Sequence, residues 1–211
     1  MSDEIIAKLE KAVLDMDEDL GRTAAQEAVD SGMDAFQAVD KGLVKAMKKI
    51  ADQYDNEEIY LPQVLACADA FYAAFEILRP HIIEGTETAG HKVVIGVVEG
   101  DIHDIGKNLV KTMIEANGFN CIDKGRDVPI EDYVEEVVNS NPGFLAMSTL
   151  MTPTMKNMKR VIEDLKEEDA RDSLKIMIGG GPIDQEFAQE IEADFYGDDE
   201  SDAVKWLQEK S

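Results

Sequence analysis

The chain has 211 residues, of which 45 are acidic and 21 basic, for a formal charge of −24. That imbalance repels nucleic-acid phosphates and anionic membrane surfaces, so neither nucleic acid nor membrane is expected as a partner, and solubility explains the charge more simply than a docking face for basic proteins. With 44% hydrophobic residues, no unbroken apolar run of spanning length and an acidic Met-Ser-Asp-Glu start unlike a secretory signal, a cytoplasmic address is expected.

From Asp3 to about Glu84 apolar residues recur every three or four positions, as in Ile5, Ile6, Leu9, Val13 and Leu14, then Val39, Leu43, Met47 and Ile50. Breaks at Gly21, at Ser31-Gly32 and in Asp55-Asn56-Glu57-Glu58 divide this half into four expected helices, about 3–19, 21–31, 34–54 and 60–83. Pro62 falls in the first turn of the last one, where a missing N–H is harmless. Cys67 lies here and Cys121 in a later strand-like stretch. Neither has CxxC or zinc-ligand spacing, so both are expected as free buried thiols.

A polar linker, Glu84 to Gly90, separates the helical region (1–88) from a second region (91–211) in which short β-rich runs alternate with helical patterns. Strands are expected at Val93–Val98, Cys121–Asp123, Phe144–Met147, Lys175–Ile178 and Phe195-Tyr196. Helices are expected near 105–117, 130–139, 153–168, 184–192 and 200–209. Repeated βα units with right-handed crossovers give a doubly wound, five-stranded parallel sheet, expected in the order 2-1-3-4-5. A ligand then sits outside the carboxyl ends of the strands where the order reverses, between strands 1 and 3, which directs attention to the loops 99–106 and 148–154.

The first loop, Glu99-Gly-Asp-Ile-His-Asp-Ile-Gly106, carries the one histidine at the mouth of that crevice. An imidazole there can ligate a metal, and Asp101, two residues earlier, can accept from the other ring nitrogen and fix the tautomer. Gly100 and Gly106 let a bulky ligand approach the backbone. Taken alone, a His-Asp pair is more often an exposed loop histidine. A phosphoryl-accepting receiver needs a carboxylate at the end of strand 3, where this chain has Met147-Ser148. Flavin phosphate calls for a Ser/Thr-rich loop, not an acidic one. A divalent-metal site of Glu99, Asp101, His103 and Asp104 stays open. The methionines, including Met33, Met47, Met147, Met151, Met155 and Met158, read as core filler, His81 and His91 as surface residues, and Trp206 as packing for the last helix.

Asp101-x-His103-x-x-Gly106, followed by Ser148-x-Leu150 after strand 3 and Gly179-Gly180 after strand 4, resembles the signature of the cobalamin-binding domains of methionine synthase and corrinoid methyltransferases. The helical half resembles the four-helix cap of those proteins, with Tyr60-Leu61-Pro62-Gln63-Val64 at its contact segment. The resemblance implies a helical cap followed by a flavodoxin-like, Rossmann-like domain, and it extends to the small corrinoid proteins that serve methyltransferases for methylamines, methanol, betaines and aryl methyl ethers. The Glu99–Gly106 loop and the Met151-Thr-Pro-Thr-Met155 run lean toward the methylated-amine branch.

By that resemblance His103 is the lower axial ligand of a cobalamin cobalt, replacing the cofactor's own base, with Gly100, Asp101, Ile102, Asp104 and Gly106 around it. The displaced nucleotide tail would enter a slot lined by Ser148, Leu150, Gly179 and Gly180, near Thr152. Asp101 would bond to Thr154, where the family has serine, giving a His103-Asp101-Thr154 relay. Tyr54, where the family usually has phenylalanine, would cover the upper face with Leu61 and Val64, and the 84–90 linker would act as a hinge. The implied role is to carry a methyl group, in a methylcobalamin form, from a substrate-specific methyltransferase to a second one acting on coenzyme M or a tetrahydropterin. A reductive activator protein would be a further partner. The alternatives are a cobalamin-dependent sensor, disfavoured by the absence of length and basic charge for a DNA-binding domain, and an adenosylcobalamin mutase subunit, which usually lacks the cap.

Overall fold

The structure, a computed structural model, describes residues 2–83 and 91–211. The chain divides into two compact units at residues 84/85. The 84–90 linker, expected as a hinge, lies outside the described residues.

The first unit is helical: α1 (Ser2–Leu14), α2 (Glu18–Asp30), α3 (Ala35–Ala38), a π-helical turn (Val39–Val44), α4 (Lys45–Asp55) and α5 (Leu61–Ile83). The break between α1 and α2 falls earlier than the Gly21 position expected from sequence. Met16 adopts a left-handed conformation (φ 59°) and Asp17 caps α2, its carboxylate accepting from the Leu20 N–H at 2.9 Å. Gly21 instead lies within α2, where a Cβ would stand 3.2 Å from the Ala70 carbonyl of α5, so the glycine lets the two helices approach closely. The expected 34–54 helix is continuous but carries an extra residue in one turn. Gly42, in that π turn, packs on α1, with Leu9 Cβ 2.9 Å from where its own Cβ would be.

By length and composition alone, Leu61–Ile82 of α5 is apolar enough to cross a membrane, a stretch the run-length reading of the sequence overlooked. Its Cys67, Ala70, Phe71, Ala74, Phe75 and Leu78 are buried, whereas Leu61 and Leu65 near its start are exposed.

The second unit is a five-stranded, wholly parallel sheet in the order β2-β1-β3-β4-β5, as the βα pattern implies. Its strands are β1 (Lys92–Val98), β2 (Asn120–Val128), β3 (Phe144–Ser148), β4 (Lys175–Gly179) and β5 (Phe195–Gly197). The helices are α6 (Ile105–Ala116), α7 (Ile130–Ser140), α8 (Met155–Glu167), preceded by a 3₁₀ turn at Thr152–Thr154, α9 (Gln185–Glu190) and α10 (Glu200–Lys210). Alternate strand residues serve opposite faces. Val94, Leu145, Met147, Ile176 and Ile178 pack with α7, α8 and α9, whereas Val93, Ile95, Phe144, Ala146 and Met177 pack with α6 and α10. Trp206 of α10 is buried there, stacked on Phe195 with ring centroids 5.0 Å apart.

β2 is three times longer than its apolar core suggested. As an edge strand it is held by paired charges as well as by burial. Asp123 accepts from Lys107 at 2.7 Å and Lys111 at 2.9 Å, and Lys124 meets Glu136 at 2.9 Å. Burial would raise the Asp123 carboxyl, but the bonds from Lys107, Lys111 and the Gly125 N–H outweigh it and lower it. Both cysteines are free, and burial pushes the Cys121 thiol up to about 12, so it is no nucleophile.

Candidate functional site

At the reversal point α6 leaves one face of the sheet and α7 and α8 the other, so the loops after β1 and β3 open between them. The loop after β1 is clamped from outside. Asp127 accepts from the Gly100 N–H at 2.7 Å and donates its own N–H to the Asp101 carbonyl at 2.9 Å, while Asn157 of α8 donates to the Glu99 carbonyl at 2.8 Å. Gly100 has φ +84°, and a Cβ on it would come 3.0 Å from Thr154 Cγ2.

Within this frame Asp101 is fully buried and receives four hydrogen bonds. Oδ1 accepts from the His103 N–H at 3.0 Å and from His103 Nδ1 at 2.6 Å. Oδ2 accepts from the Thr149 hydroxyl and the Leu150 N–H, each at 2.6 Å. Burial by itself would raise this carboxyl. The bonds from Thr149, from the His103 and Leu150 amides and from the His103 ring hold it below the ordinary carboxylate range, so it is ionised at neutral pH. An acceptor-only carboxylate fixes the proton on Nδ1 and leaves the Nε2 lone pair free. The His103 side chain is half exposed (50%), and the neighbouring Ile102 and Leu150 are exposed too.

The direct Asp101–Thr154 bond expected from sequence is replaced by a longer chain. Thr149 stands between them, its Oγ1 2.6 Å from Thr154 Oγ1, and Thr154 also lies 2.8 Å from the Met151 carbonyl. Because the ionised carboxylate has no proton to give, Thr149 must donate to Asp101, and the short contact to Thr154 then requires the Thr154 proton. Thr149, Asp127 and Asn157 were all missed from sequence. Thr149 sits inside the Ser148-x-Leu150 motif but carried no signal of its own. Among the described residues no group of three or more His, Cys, Asp or Glu is arranged to hold a metal ion, so the Glu99, Asp101, His103, Asp104 site is not formed. Asp104 instead opens α6, taking the N-cap position.

A second group of residues lies at the carboxyl ends of the strands, on the α6 and α10 side of the sheet. Register aligns Val97, Ser148, Gly179 and Gly197 across β1, β3, β4 and β5 at their carboxyl ends. The row is almost all small. The Ser148 hydroxyl is buried and has no hydrogen-bond partner among the described residues, and a Cβ on Gly179 would approach the Gly197 carbonyl to 3.0 Å. Gly180 (φ +120°) is more constrained, since its Cβ would fall 1.9 Å from the Thr149 carbonyl oxygen. Gly106, at the start of α6, has open space where a Cβ would be, and Thr152 is exposed at the head of the 3₁₀ turn. An orphaned buried hydroxyl above a floor of glycines fits an inserted polar ligand tail.

In the helical unit Tyr54 (46% exposed) ends α4, Leu61 (56%) opens α5, and Val64 is half-buried one turn on. Tyr60 and Leu65 are exposed beside them.

Residues 91–205 match a family described as B12 binding domain, and residues 5–79 match a second family with the same description. The chain belongs to the B12-binding corrinoid proteins. This corrinoid protein is 41% identical over 205 residues to trimethylamine corrinoid protein 1 of Methanosarcina acetivorans, covering 96% of this chain and 94% of the relative. It is 38% identical to dimethylamine corrinoid protein 2 of the same organism, covering 96% and 94%. The solved structure of the Methanosarcina barkeri monomethylamine corrinoid protein aligns over 99% of both chains with a TM-score of 0.89 and 36% identity. The methanol:cobalamin methyltransferase complex MtaBC of Methanosarcina barkeri aligns over 99% of this chain and 80% of that one, at TM-score 0.56 and 34% identity.

Proposed function

We propose that this corrinoid protein carries a methyl group between two methyltransferases on a cobalamin bound in the base-off, His-on form, with Nε2 of His103 as the lower axial ligand of cobalt. The observation that carries this reading is the saturated Asp101: among its four donors is His103 Nδ1, which holds a proton on that nitrogen and orients the half-exposed ring with Nε2 left as the candidate ligating atom. When bound, the corrinoid supplies a cobalt that takes up a methyl group and gives it up again.

The chain's own residues have other tasks. Asp101 makes the ligating nitrogen more basic, and Thr154, through Thr149, supports Asp101. Ile102, Leu150 and the glycines Gly100 and Gly106 form the open platform around the ligand, and Asp104 starts the helix behind it. Ser148, Gly179 and Gly180 receive the displaced nucleotide, whose polar groups would satisfy the Ser148 hydroxyl, and Thr152 borders the same mouth. To Tyr54, Leu61 and Val64 of the helical unit we assign the exclusion of water from the cofactor.

The methyl donor we propose is a methylated amine, delivered by its own methyltransferase. Relatives named for tri- and dimethylamine, and a structure named for the monomethylamine protein, support this. A second methyltransferase would pass the methyl to coenzyme M or a tetrahydropterin, and a reductive activator would restore the cofactor after oxidation. Two free thiols fit a cytoplasmic setting. The test is anaerobic reconstitution with cobalamin followed by absorbance spectroscopy. A coloured holoprotein whose imidazole-coordinated spectrum is lost in His103→Ala supports the assignment, and an identical spectrum in that variant overturns it.

A further inference from the structure

We infer that Thr149 is the positioning residue that sets how strongly Asp101 pulls on the His103 proton, and that Thr154 acts on Asp101 only through it. This deepens the reading of His103 as the cobalt ligand and rests on that reading for its consequence at the metal, but not for its geometry. Thr149 is 1% exposed and held on every side. Its N–H donates to the Gly179 carbonyl at 3.2 Å, and its carbonyl occupies the space a Cβ on Gly180 would need. Its Oγ1 accepts from the Met151 N–H at 3.1 Å. Its hydroxyl proton has two acceptors in reach, the Asp101 Oδ2 at 2.6 Å and the Met151 carbonyl at 3.4 Å, and the shorter bond to the ionised carboxylate takes it.

A carboxylate shares its charge among the donors it accepts, so each donor on Oδ2 weakens the pull that Oδ1 exerts on Nδ1. Removing the Thr149 hydroxyl leaves Oδ2 with the Leu150 N–H alone, which keeps the carboxylate in place but leaves more charge for the His103 bond. Thr154 stands one step further away. It touches Thr149, and when that contact is lost it has the Met151 carbonyl at 2.8 Å to turn to, so no hydroxyl is stranded. Its influence on Asp101 is therefore conditional on Thr149, a dependence that a double-mutant cycle reads directly.

The experiment uses the apo chain and needs no corrinoid. The Nδ1 proton and both ring nitrogens of His103 are followed by NMR at fixed neutral pH in wild type, Thr149→Val, Thr149→Ser, Thr154→Val and the double Val variant. Thr149→Val should move the Nδ1 proton downfield, as a stronger hydrogen bond does, and Thr149→Ser should restore it. Thr154→Val should give a smaller shift in the same direction, and the double variant should match Thr149→Val alone. An unmoved proton in Thr149→Val, a Thr154→Val shift as large as that of Thr149→Val, or additive shifts in the double variant would overturn the inference. If Thr149→Val loses its fold, Thr149→Ala, which removes volume instead of adding a second methyl, carries the same cycle. The same variants loaded with cobalamin then report the metal. A shift in the apo protein with no change in the cobalt spectrum would leave the Thr149 role standing and count against His103 as ligand.

Discussion

The loop after β1 and the junction of α4 with α5 are built on opposite principles. Around His103 nearly every polar atom has a specified partner: four donors on Asp101, and Asp127 and Asn157 clamping the backbone. At the α4–α5 junction Tyr54, Tyr60, Leu61 and Leu65 are simply exposed apolar side chains. A metal ligand must present one lone pair in one direction, which takes directional bonds and a rigid frame. Shielding a reactive centre takes apolar area, which is non-directional and tolerates substitution. Changes at the first region should therefore be severe and specific, and changes at the second graded.

The largest effect is expected from His103→Ala. Without the imidazole, cobalamin affinity should fall by about tenfold or more, since even loss of a group supporting a ligand has effects of that order, and equilibrium binding monitored by absorbance measures it. Gly180→Ala should come next, with a different signature. A Cβ 1.9 Å from a pinned carbonyl at φ +120° should destabilise the apo chain by about 3 kcal/mol in denaturant unfolding, with no need of a cofactor to show it.

Asp101→Asn should act on pH dependence. The Asp101 carboxyl is lowered in the folded state, so the unfolded chain binds its proton first. Its contribution to stability is fully present above the ordinary carboxylate value of about 3.9 and is lost as pH falls through the lower folded value. Acid unfolding of Asp101→Asn should be flatter than wild type below about pH 4, and unchanged curves would show that the four hydrogen bonds do not favour the anion. The smallest effect on stability belongs to Leu61→Ala, within about 0.5 kcal/mol because the side chain is 56% exposed. Its effect should appear instead as faster oxidation of the reduced, corrinoid-loaded protein. Equal oxidation rates would remove Leu61 from the shielding role.

Much of the fold was legible because the periodicity changes from helical to alternating βα near the linker, and because a chain of βα units with right-handed crossovers leaves few sheet orders. The misreadings have physical causes. Gly21 looked like a helix break, but it is a close-packing glycine against Ala70, and the true break is made by the Asp17 cap. β2 looked short because an edge strand held by Lys107, Lys111 and Asp123 shows no apolar alternation. The pairing of His103 with Asp101 follows from a two-residue spacing within one loop, a local relation that sequence displays. Thr149 could not be found in this way: its partner is 48 residues distant, and only the register of β1 with β3 brings the two loops together.

The most direct test of the account is electron paramagnetic resonance of the cobalt(II) corrinoid protein prepared with ¹⁵N-labelled histidine. If His103 is the axial ligand, the nitrogen splitting of the cobalt signal changes with the label and is lost in His103→Ala. A splitting indifferent to the label would mean that the cofactor keeps its own base on cobalt, contradicting the assignment.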